Sequence, residues 1–252
     1  MTGEKKLRAD ALLHARGLAE SRTRARALIA AGQVYSGEAR IEKPGQRLAA
    51  DAPLEVRGLD HPWVSRGGIK LDHALTYFGI EPNGLVCLDL GASTGGFTDV
   101  LLGRGAAKVY AVDVGRDQIA AKLRGDARVV VLEQTDARAL TAELISEPID
   151  LIVADLAFIG IEKALPAALD LTRSGAKPET CLVALIKPQF QAGPDDVGKG
   201  GVVRDPAVLE RVCREVQDWL EGEAGWRVLG LVESPVPGGD GNTEFLIAAV
   251  KP

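Results

Sequence analysis

The sequence predicts a doubly wound α/β fold, a largely parallel sheet of seven strands flanked by helices, with a small α+β unit in front of it. Three observations carry this. From residue 85 onward apolar runs alternate with stretches of helical period: strands are predicted at 85–90, 108–113, 128–132, 149–154, 181–187, 226–232 and 244–250, and helices near 96–104, 116–123, 138–145, 160–172 and 205–221. The first of these strands runs, in VCLDLGASTGGF (86–97), into a glycine turn that opens directly into a helix. Residues 1–60 read differently, as two short helices followed by short strands and turns. No helical pattern separates the last two strands, so they should form an antiparallel hairpin at one edge.

The chain of 252 residues is long enough to bury a full core, with 46% hydrophobic residues. No apolar run approaches the ~20 residues needed to cross a bilayer, and the start MTGEKKLRAD lacks an apolar secretion segment, so a cytoplasmic protein is expected. Cys87, Cys181 and Cys213 form no C-x-x-C pair, and His14, His61 and His73 are equally scattered, which gives a metal site no support. The net charge of −5 is unevenly spread: residues 1–60 hold eleven Lys/Arg against eight Asp/Glu, whereas the remainder holds nineteen against twenty-seven. The basic end is the candidate for an anionic partner, although a solvated face would look the same.

In that first unit Leu7, Ala11, Leu12, Ala15 and Leu18 recur at helical spacing over residues 6–19, with a stop near Gly17. Ser21 caps a second helix through Ile29, and Gly32 ends it. On this helix Ala25, Leu28 and Ile29 point inward, while Arg22 and Arg26 share the outer face and Arg24 adds a cation nearby. Short strands at 33–35, near Ile41 and at 54–56 alternate with turns at Ser36-Gly37 and Pro44-Gly45. His61-Pro62-Trp63-Val64 reads as a linker between this unit (1–60) and the larger one (65–252). SRGGIKL (65–71) then leads into a helix with Leu71, Ala74, Leu75 and Phe78 on one face and Gly79 at its end. Lys70 falls in its first turn, where the helix dipole disfavours a cation, a place for chemistry as well as for surface decoration.

The glycine turn suits a nucleoside without phosphates. Gly91 permits a tight turn and close approach, and the helix beginning near Gly95 offers unpaired N–H groups. The order Gly91, Ser93, Gly95, Gly96 is no G-x-G-x-x-G dinucleotide fingerprint, no Gly-Lys-Ser/Thr follows, and Asp89 would repel phosphate. Asp113, closing the next strand about 20 residues on, can take both hydroxyls of a ribose. S-adenosylmethionine (SAM) fits this description, with Asp89, Gly91, Ser93, Gly95, Gly96 and Phe97 around its methionine end and Asp136 near its adenine. A purely structural glycine turn is the plain alternative, as is a turn-bracing role for Asp89.

Ligands of doubly wound sheets sit beyond the carboxyl ends of the strands. Asp155 and Lys187 close two apolar strands there, and Glu244 starts the final strand, which being antiparallel begins on the same rim. Charges that close apolar strands are partly desolvated and need partners, so these three and Lys70 form a candidate constellation. A hydroxyl nucleophile attacking an activated methyl needs in-line alignment and removal of one proton. Lys187 is expected to be the general base, with Asp155 and Glu244 orienting the lysines and the hydroxyl, although Lys70 and Lys187 could exchange roles. Asp155-Leu156-Ala157-Phe158 lacks the two prolines with which amino-methyltransferases grip a nitrogen.

Two resemblances sharpen this. Arg8, Leu12, Ser21-Arg22, Ala25, Ile29, Gly32, Val34, Gly37 and Pro44 resemble the S4 RNA-binding domain, which implies that Arg8, Arg22, Arg24 and Arg26 contact structured RNA. Lys70, Asp155, Lys187 and Glu244 resemble the Lys-Asp-Lys-Glu tetrad of the FtsJ-type ribose 2′-O-methyltransferases, which have a Rossmann-like class I methyltransferase domain. Together with SRGGIKL, DLGASTGGFTDVLL, IKPQF and KGGVVRDP, the whole chain resembles the TlyA family, historically called hemolysin A. The resemblance implies SAM as cofactor and a cytidine 2′-hydroxyl in 16S and/or 23S ribosomal RNA as acceptor; nothing in the pattern demands a dimer, so a monomer without a metal is the expectation. Two departures stand out: Gln191 where an acid often follows IKPQF, and the His61-led linker where an arginine-led one occurs. The glycine-rich residues 191–204 are expected to form a mobile lid. Competing readings are a membrane-lytic toxin and an inactive RNA-binding assembly factor.

Overall fold

The computed structural model describes residues 6–16, 18–19, 21–56, 61–173, 175, 179–238 and 241–252; the predicted helix stop at Gly17 and the predicted end of the first unit at residue 60 lie outside these. The chain divides into two compact units, Met1–Pro62 and Trp63–Pro252.

In the smaller unit the predicted first helix is shorter than its apolar spacing suggests. Lys6–Arg8 is a strand (β1), and the helix α1 covers only Ala9–Ala15. The cause is tertiary: β1 pairs antiparallel with Arg47–Ala49, Leu7 lying opposite Leu48, and the alternation Lys-Leu-Arg suits a half-buried strand as well as a helix start. Helix α2 (Arg22–Ala30) follows the sequence closely, with Ser21 Oγ accepting the Arg24 N–H at 3.1 Å. Val34–Ser36 (β2) pairs antiparallel with Ala39–Arg40 (β3), and Arg47–Ala49 is β4; Glu55–Val56 (β5) completes a sheet ordered β3-β2-β5. Leu13, Ile29, Val34 and Ile41 are buried together between these elements.

A fully buried carboxylate organises the basic face of this unit. Asp10 accepts from Arg8 Nε at 3.0 Å, from Arg22 Nη2 at 3.2 Å, from Arg26 Nε at 3.2 Å and from the Ala11 N–H at 2.9 Å. Arg22 and Arg26, predicted to point outward, do so half-exposed, and with Arg8 they are anchored to one anion. The Arg8 guanidinium holds the Asp10 carboxyl well below the usual carboxylate range, with Arg26 and Arg22 adding to it against the cost of burial. A folded pKa below the unfolded one contributes stability above about pH 4 that is lost as pH falls further. Asp10→Asn should therefore destabilise the protein by about 1–3 kcal/mol at pH 7, the scale of lost hydrogen bonds to a charged acceptor, since a neutral amide replaces the buried carboxylate. In thermal melts the gap between wild type and variant should narrow below about pH 4.

In the larger unit α3 (Gly67–Phe78) ends at Gly79 and precedes a seven-stranded sheet. Its strands are β6 (Val86–Leu90), β7 (Lys108–Asp113), β8 (Val129–Glu133), β9 (Leu151–Ala154), β10 (Cys181–Ile186), β11 (Arg227–Glu233) and β12 (Phe245–Val250). The order is β11-β12-β10-β9-β6-β7-β8, with β12 antiparallel to both neighbours and the rest parallel, as the sequence predicts. Both faces are covered, which is why the strands read as continuous apolar runs. Cys87, Leu151, Val153, Val183 and Leu185 face one core, packed with Leu71 and Leu75 of α3 and with Val100 and Leu101 of α4 (Gly96–Gly103). Leu88, Leu90, Ile152 and Ile186 face the other. This second core receives α6 (Ile161–Ala164), α7 (Pro166–Asp170) and α9 (Pro206–Gly222); α5 is Ala121–Arg124 and α8 is Pro188–Gln191.

Three helical predictions fail for identifiable reasons. Residues 116–120 stay a loop because Asp117 sits in the left-handed region at φ 52°, which an α-helix does not allow; Glu133, at the end of β8, holds that loop by accepting the backbone N–H groups of Asp117, Gln118 and Ile119 at 2.9, 2.8 and 3.1 Å. The stretch near 138–145 contains one 3-10 turn, Ala137–Ala139, capped by Asp136. The helix predicted over 160–172 is broken at Leu165, because Pro166 cannot continue it and instead starts α7. Residues 191–204 hold a 3-10 turn at Pro194–Asp196 and a bridge between Gly198 and Val202. Buried Asn242 ties them down, accepting the Val203 N–H at 3.1 Å and donating to the Gly201 carbonyl at 3.0 Å. Among the described residues no helix is long and apolar enough to cross a membrane.

Candidate active site at the switch of the sheet

The chain winds outward from β6 through β7 to β8, then returns to place β9 on the other side of β6. The crevice of such a sheet opens where the winding reverses, between the ends of β6 and β9. Gly91 follows β6 and Asp155 follows β9, so the predicted turn and a predicted acid meet there. Gly91 has φ 80°, and a Cβ on it would overlap the Asp155 carbonyl oxygen; only glycine fits. The turn is braced on β7: Gly91 and Ala92 donate to the Val112 carbonyl at 2.9 and 3.0 Å, and the Ser93 N–H donates to Asp113 Oδ2 at 2.8 Å. Asp113 Oδ1 takes the Gly115 N–H at 2.6 Å, so this carboxylate fixes both loops around it.

Three adjoining cavities surround the crevice. The largest, about 720 Å³, is lined by Gly91, Ser93, Asp113 and Asp136 together with Asp155 and Lys187. A second of about 250 Å³ shares Gly91 and Asp155 and adds Ser65, Lys70, Gly96 and Phe97. A third of about 370 Å³ shares Phe158 and Lys187 with the first and adds Gln189, Phe190 and Glu244. Gly95 lines none of the three and instead caps α4 from the left-handed region. Asp89 also lies outside them, fully buried. Its Oδ2 accepts from Thr98 Oγ1 at 2.6 Å, and its Oδ1 has no hydrogen-bond partner. Burial pushes the Asp89 carboxyl up to about 7, against the Thr98 hydrogen bond and with help from the charges of Asp155 and Asp113.

Lys70, Asp155, Lys187 and Glu244 form two ion pairs. Lys70 Nζ lies 2.5 Å from Glu244 Oε2, with the two side chains 10% and 2% exposed, and Lys187 Nζ lies 2.6 Å from Asp155 Oδ1. Lys70 comes from α3 and Glu244 precedes β12, whereas Lys187 and Asp155 follow the neighbouring parallel strands β10 and β9. Glu244 is accommodated because Gly238 has no side chain, since a Cβ there would overlap Glu244 Oε1. Beside Lys187 stands an aromatic pair that the sequence reading did not single out. Phe158, 89% exposed at φ 65°, has its ring 5.0 Å from that of Phe190, whose ring lies 6.0 Å from Lys187 Nζ. An exposed aromatic held at positive φ marks a functional position better than a packing one; its signal in the sequence was the aromatic three residues after a strand-closing acid.

Among the described residues no group of three or more His, Cys, Asp or Glu side chains could hold a metal ion. The arrangement offers a glycine-lined crevice, carboxylates at its edge and two lysine–carboxylate pairs, and sequence comparison agrees with that chemistry: the model of the FtsJ-like methyltransferases matches residues 63–251. The chain belongs to the FtsJ-like methyltransferase family. It also carries an S4 domain, matched over residues 7–52. This family member is 46% identical over 248 residues to the Mycobacterium tuberculosis 16S/23S rRNA (cytidine-2′-O)-methyltransferase TlyA, covering 96% of this chain and 89% of that one. It is 38% identical over 241 residues to hemolysin A of Brachyspira hyodysenteriae, covering 95% and 98% of the two chains. Among solved structures, a provisionally named hemolysin from Streptococcus thermophilus superposes with a TM-score of 0.76 at 38% identity, over 99% of this chain and 90% of that one. The doubly wound sheet is thus the class I methyltransferase fold that the sequence predicts.

Proposed function

We propose that this methyltransferase uses SAM to methylate the 2′-hydroxyl of a cytidine in 16S or 23S ribosomal RNA, residues 65–252 carrying the reaction and residues 1–60 holding the RNA. The observation that supports it best is the pair of lysine–carboxylate contacts meeting at the switch of the sheet. The crevice suits SAM: Gly91 leaves room that a Cβ would fill, Asp113 presents a carboxylate for ribose hydroxyls, and the 720 Å³ cavity reaches from Asp136 to Lys187. Gly91, Ser93, Gly96 and Phe97 would line the methionine end and Asp136 the adenine end, with Asp89 and Gly95 shaping the turn from behind. When bound, the cofactor supplies an electrophilic methyl group that requires no metal.

The chain's own residues do the rest. Lys187 first gives up one ammonium proton to solvent; its neutral Nζ then accepts the proton of the 2′-hydroxyl, and Asp155, in contact with it, stabilises the ammonium that re-forms. Lys70, held by Glu244, places positive charge where the alkoxide character develops. The exposed Phe158–Phe190 pair gives the acceptor base a surface on which to stack, beside the lysine that its ribose must reach. In the N-terminal unit Arg8, Arg22 and Arg26, spaced by Asp10, present guanidiniums to RNA phosphates, with Arg24 on the same helix. One chain supplies all of these groups, so a monomer acting on ribosomal subunits in the cytoplasm suffices.

The test incubates the protein with methyl-labelled SAM and with 30S subunits, 50S subunits and naked rRNA, then maps the label by nuclease digestion. Methyl groups on a cytidine 2′-oxygen are the expected result. No transfer to any of the substrates, or transfer to a base atom, would overturn the reading.

A further inference from the structure

The 370 Å³ cavity beside Lys187 contains two side-chain amides, and they differ in what they are free to do. Asn242 is committed to the chain, accepting from Val203 and donating to Gly201. Gln189 is not: its Oε1 is buried and has no hydrogen-bond partner. A buried amide oxygen without a donor costs about 1–3 kcal/mol, and such a group in a native protein needs an explanation. Gln189 sits two residues after Lys187 in α8, and the same cavity is lined by Phe158 and Phe190, whose rings touch at a tilt of 47°. The constellation is a reactive lysine, an aromatic pair and an unsatisfied hydrogen-bonding side chain around one space.

We infer that Gln189 reads the acceptor base, its amide oxygen accepting from the exocyclic amino group of a cytosine while its N–H donates to the neighbouring ring nitrogen. This rests on the proposed ribose methylation and adds the residue that selects the nucleotide. An amino donor next to a ring-nitrogen acceptor is the pattern of a Watson–Crick edge of cytosine, and adenine shares it. Uracil presents the opposite pattern, a carbonyl acceptor next to a ring N–H, and would fit only if the Gln189 amide turned over and put its NH₂ in the buried position where Oε1 now sits. The two aromatic rings hold any base and cannot discriminate; the amide in this orientation can. Its oxygen is left without a partner in the free protein because the ligand brings one.

The experiment uses full-length protein and rRNA transcripts carrying C, U or A at the mapped acceptor position, with kcat/KM measured for wild type, Gln189→Leu and Gln189→Glu. Wild type should prefer C to U by about 10- to 100-fold, the range of one bidentate base contact. Gln189→Leu should bring that ratio close to one. Gln189→Glu, which still accepts from an amino group, should retain a preference for C over U. The A transcript separates recognition of the amino edge, which would let it react, from a cavity that admits only the smaller ring, which would not; either result leaves the C-to-U ratio as the deciding number. SAM affinity by calorimetry should be the same in Gln189→Leu and wild type, and the melting temperature equal or higher, because the variant removes an unpartnered buried oxygen; a merely structural role for Gln189 would lower it. A C-to-U ratio near one in wild type, an unchanged ratio in Gln189→Leu, or equal losses on C and U transcripts would overturn the inference. A wild type that methylates no RNA would instead remove the ribose reading, and this inference with it.

Discussion

Lys187→Ala will bind SAM with near wild-type affinity yet transfer methyl groups to rRNA at least about 10³-fold more slowly, the scale of a lost general base. Lys187 is the residue to test because it lines both the 720 Å³ and the 370 Å³ cavities, the spaces assigned to cofactor and acceptor nucleoside. Lys187→Arg should be as inactive, although it keeps the positive charge and the contact with Asp155, because a guanidinium does not give up its proton and so cannot accept another. That pair of variants separates proton transfer from electrostatics. Lys70→Ala should behave differently: it leaves Glu244, 2% exposed, without its ammonium, so the melting temperature should fall along with the rate. Single-turnover methyl transfer, calorimetric titration with SAM and thermal melts supply the three readouts. Transfer retained by Lys187→Ala and abolished by Lys70→Ala would reverse the roles of the two lysines.

The constellation was legible because it depends on strand order more than on side-chain detail. Seven apolar runs and their intervening helices fix a doubly wound sheet, and the sheet carries strand-closing charges such as Asp155 and Lys187 to one rim. What the sequence could not reveal was which charge would be paired with which. The carboxylate of Asp10 looks like any first-turn helix residue, and its contacts with Arg22 and Arg26 span 12 and 16 positions. Local patterns failed where a distant group competed for the backbone. Glu133 holds the N–H groups of residues 117–119 in a loop with Asp117 at φ 52°, and Arg47–Ala49 drew Lys6–Arg8 out of a helix. Asp89 was expected at the cofactor because it adjoins the glycines, but strand alternation turns it inward to Thr98. The orphaned oxygen of Gln189 is invisible to any pattern, since it is defined by the absence of a neighbour.

Gly91→Ala should be the most damaging single methyl group in the larger unit. Alanine at φ 80° is strained by about 1–2 kcal/mol, and its Cβ would overlap the Asp155 carbonyl oxygen. Neither atom can yield cheaply, because β6 and β9 are adjacent parallel strands with Leu90 opposite Ala154 and the Asp155 N–H donating to the Leu90 carbonyl at 2.9 Å. Relief comes from moving the end of β9 away from β6, which carries Asp155 away from Lys187 and opens the cradle of the crevice in the same motion. SAM affinity should therefore fall by at least about 100-fold and the transfer rate by more, since a displacement of the order of 1 Å at a reacting group costs about 10²-fold alone. Gly222→Ala is the matched control: no atom lies within 4 Å of a Cβ there, and the site ends α9 with no left-handed backbone. That variant should melt at or slightly above the wild-type temperature, because alanine favours a helix over glycine by up to ~1 kcal/mol. Wild-type SAM affinity in Gly91→Ala would mean that the turn is a structural corner and that the cofactor lies elsewhere along the crevice.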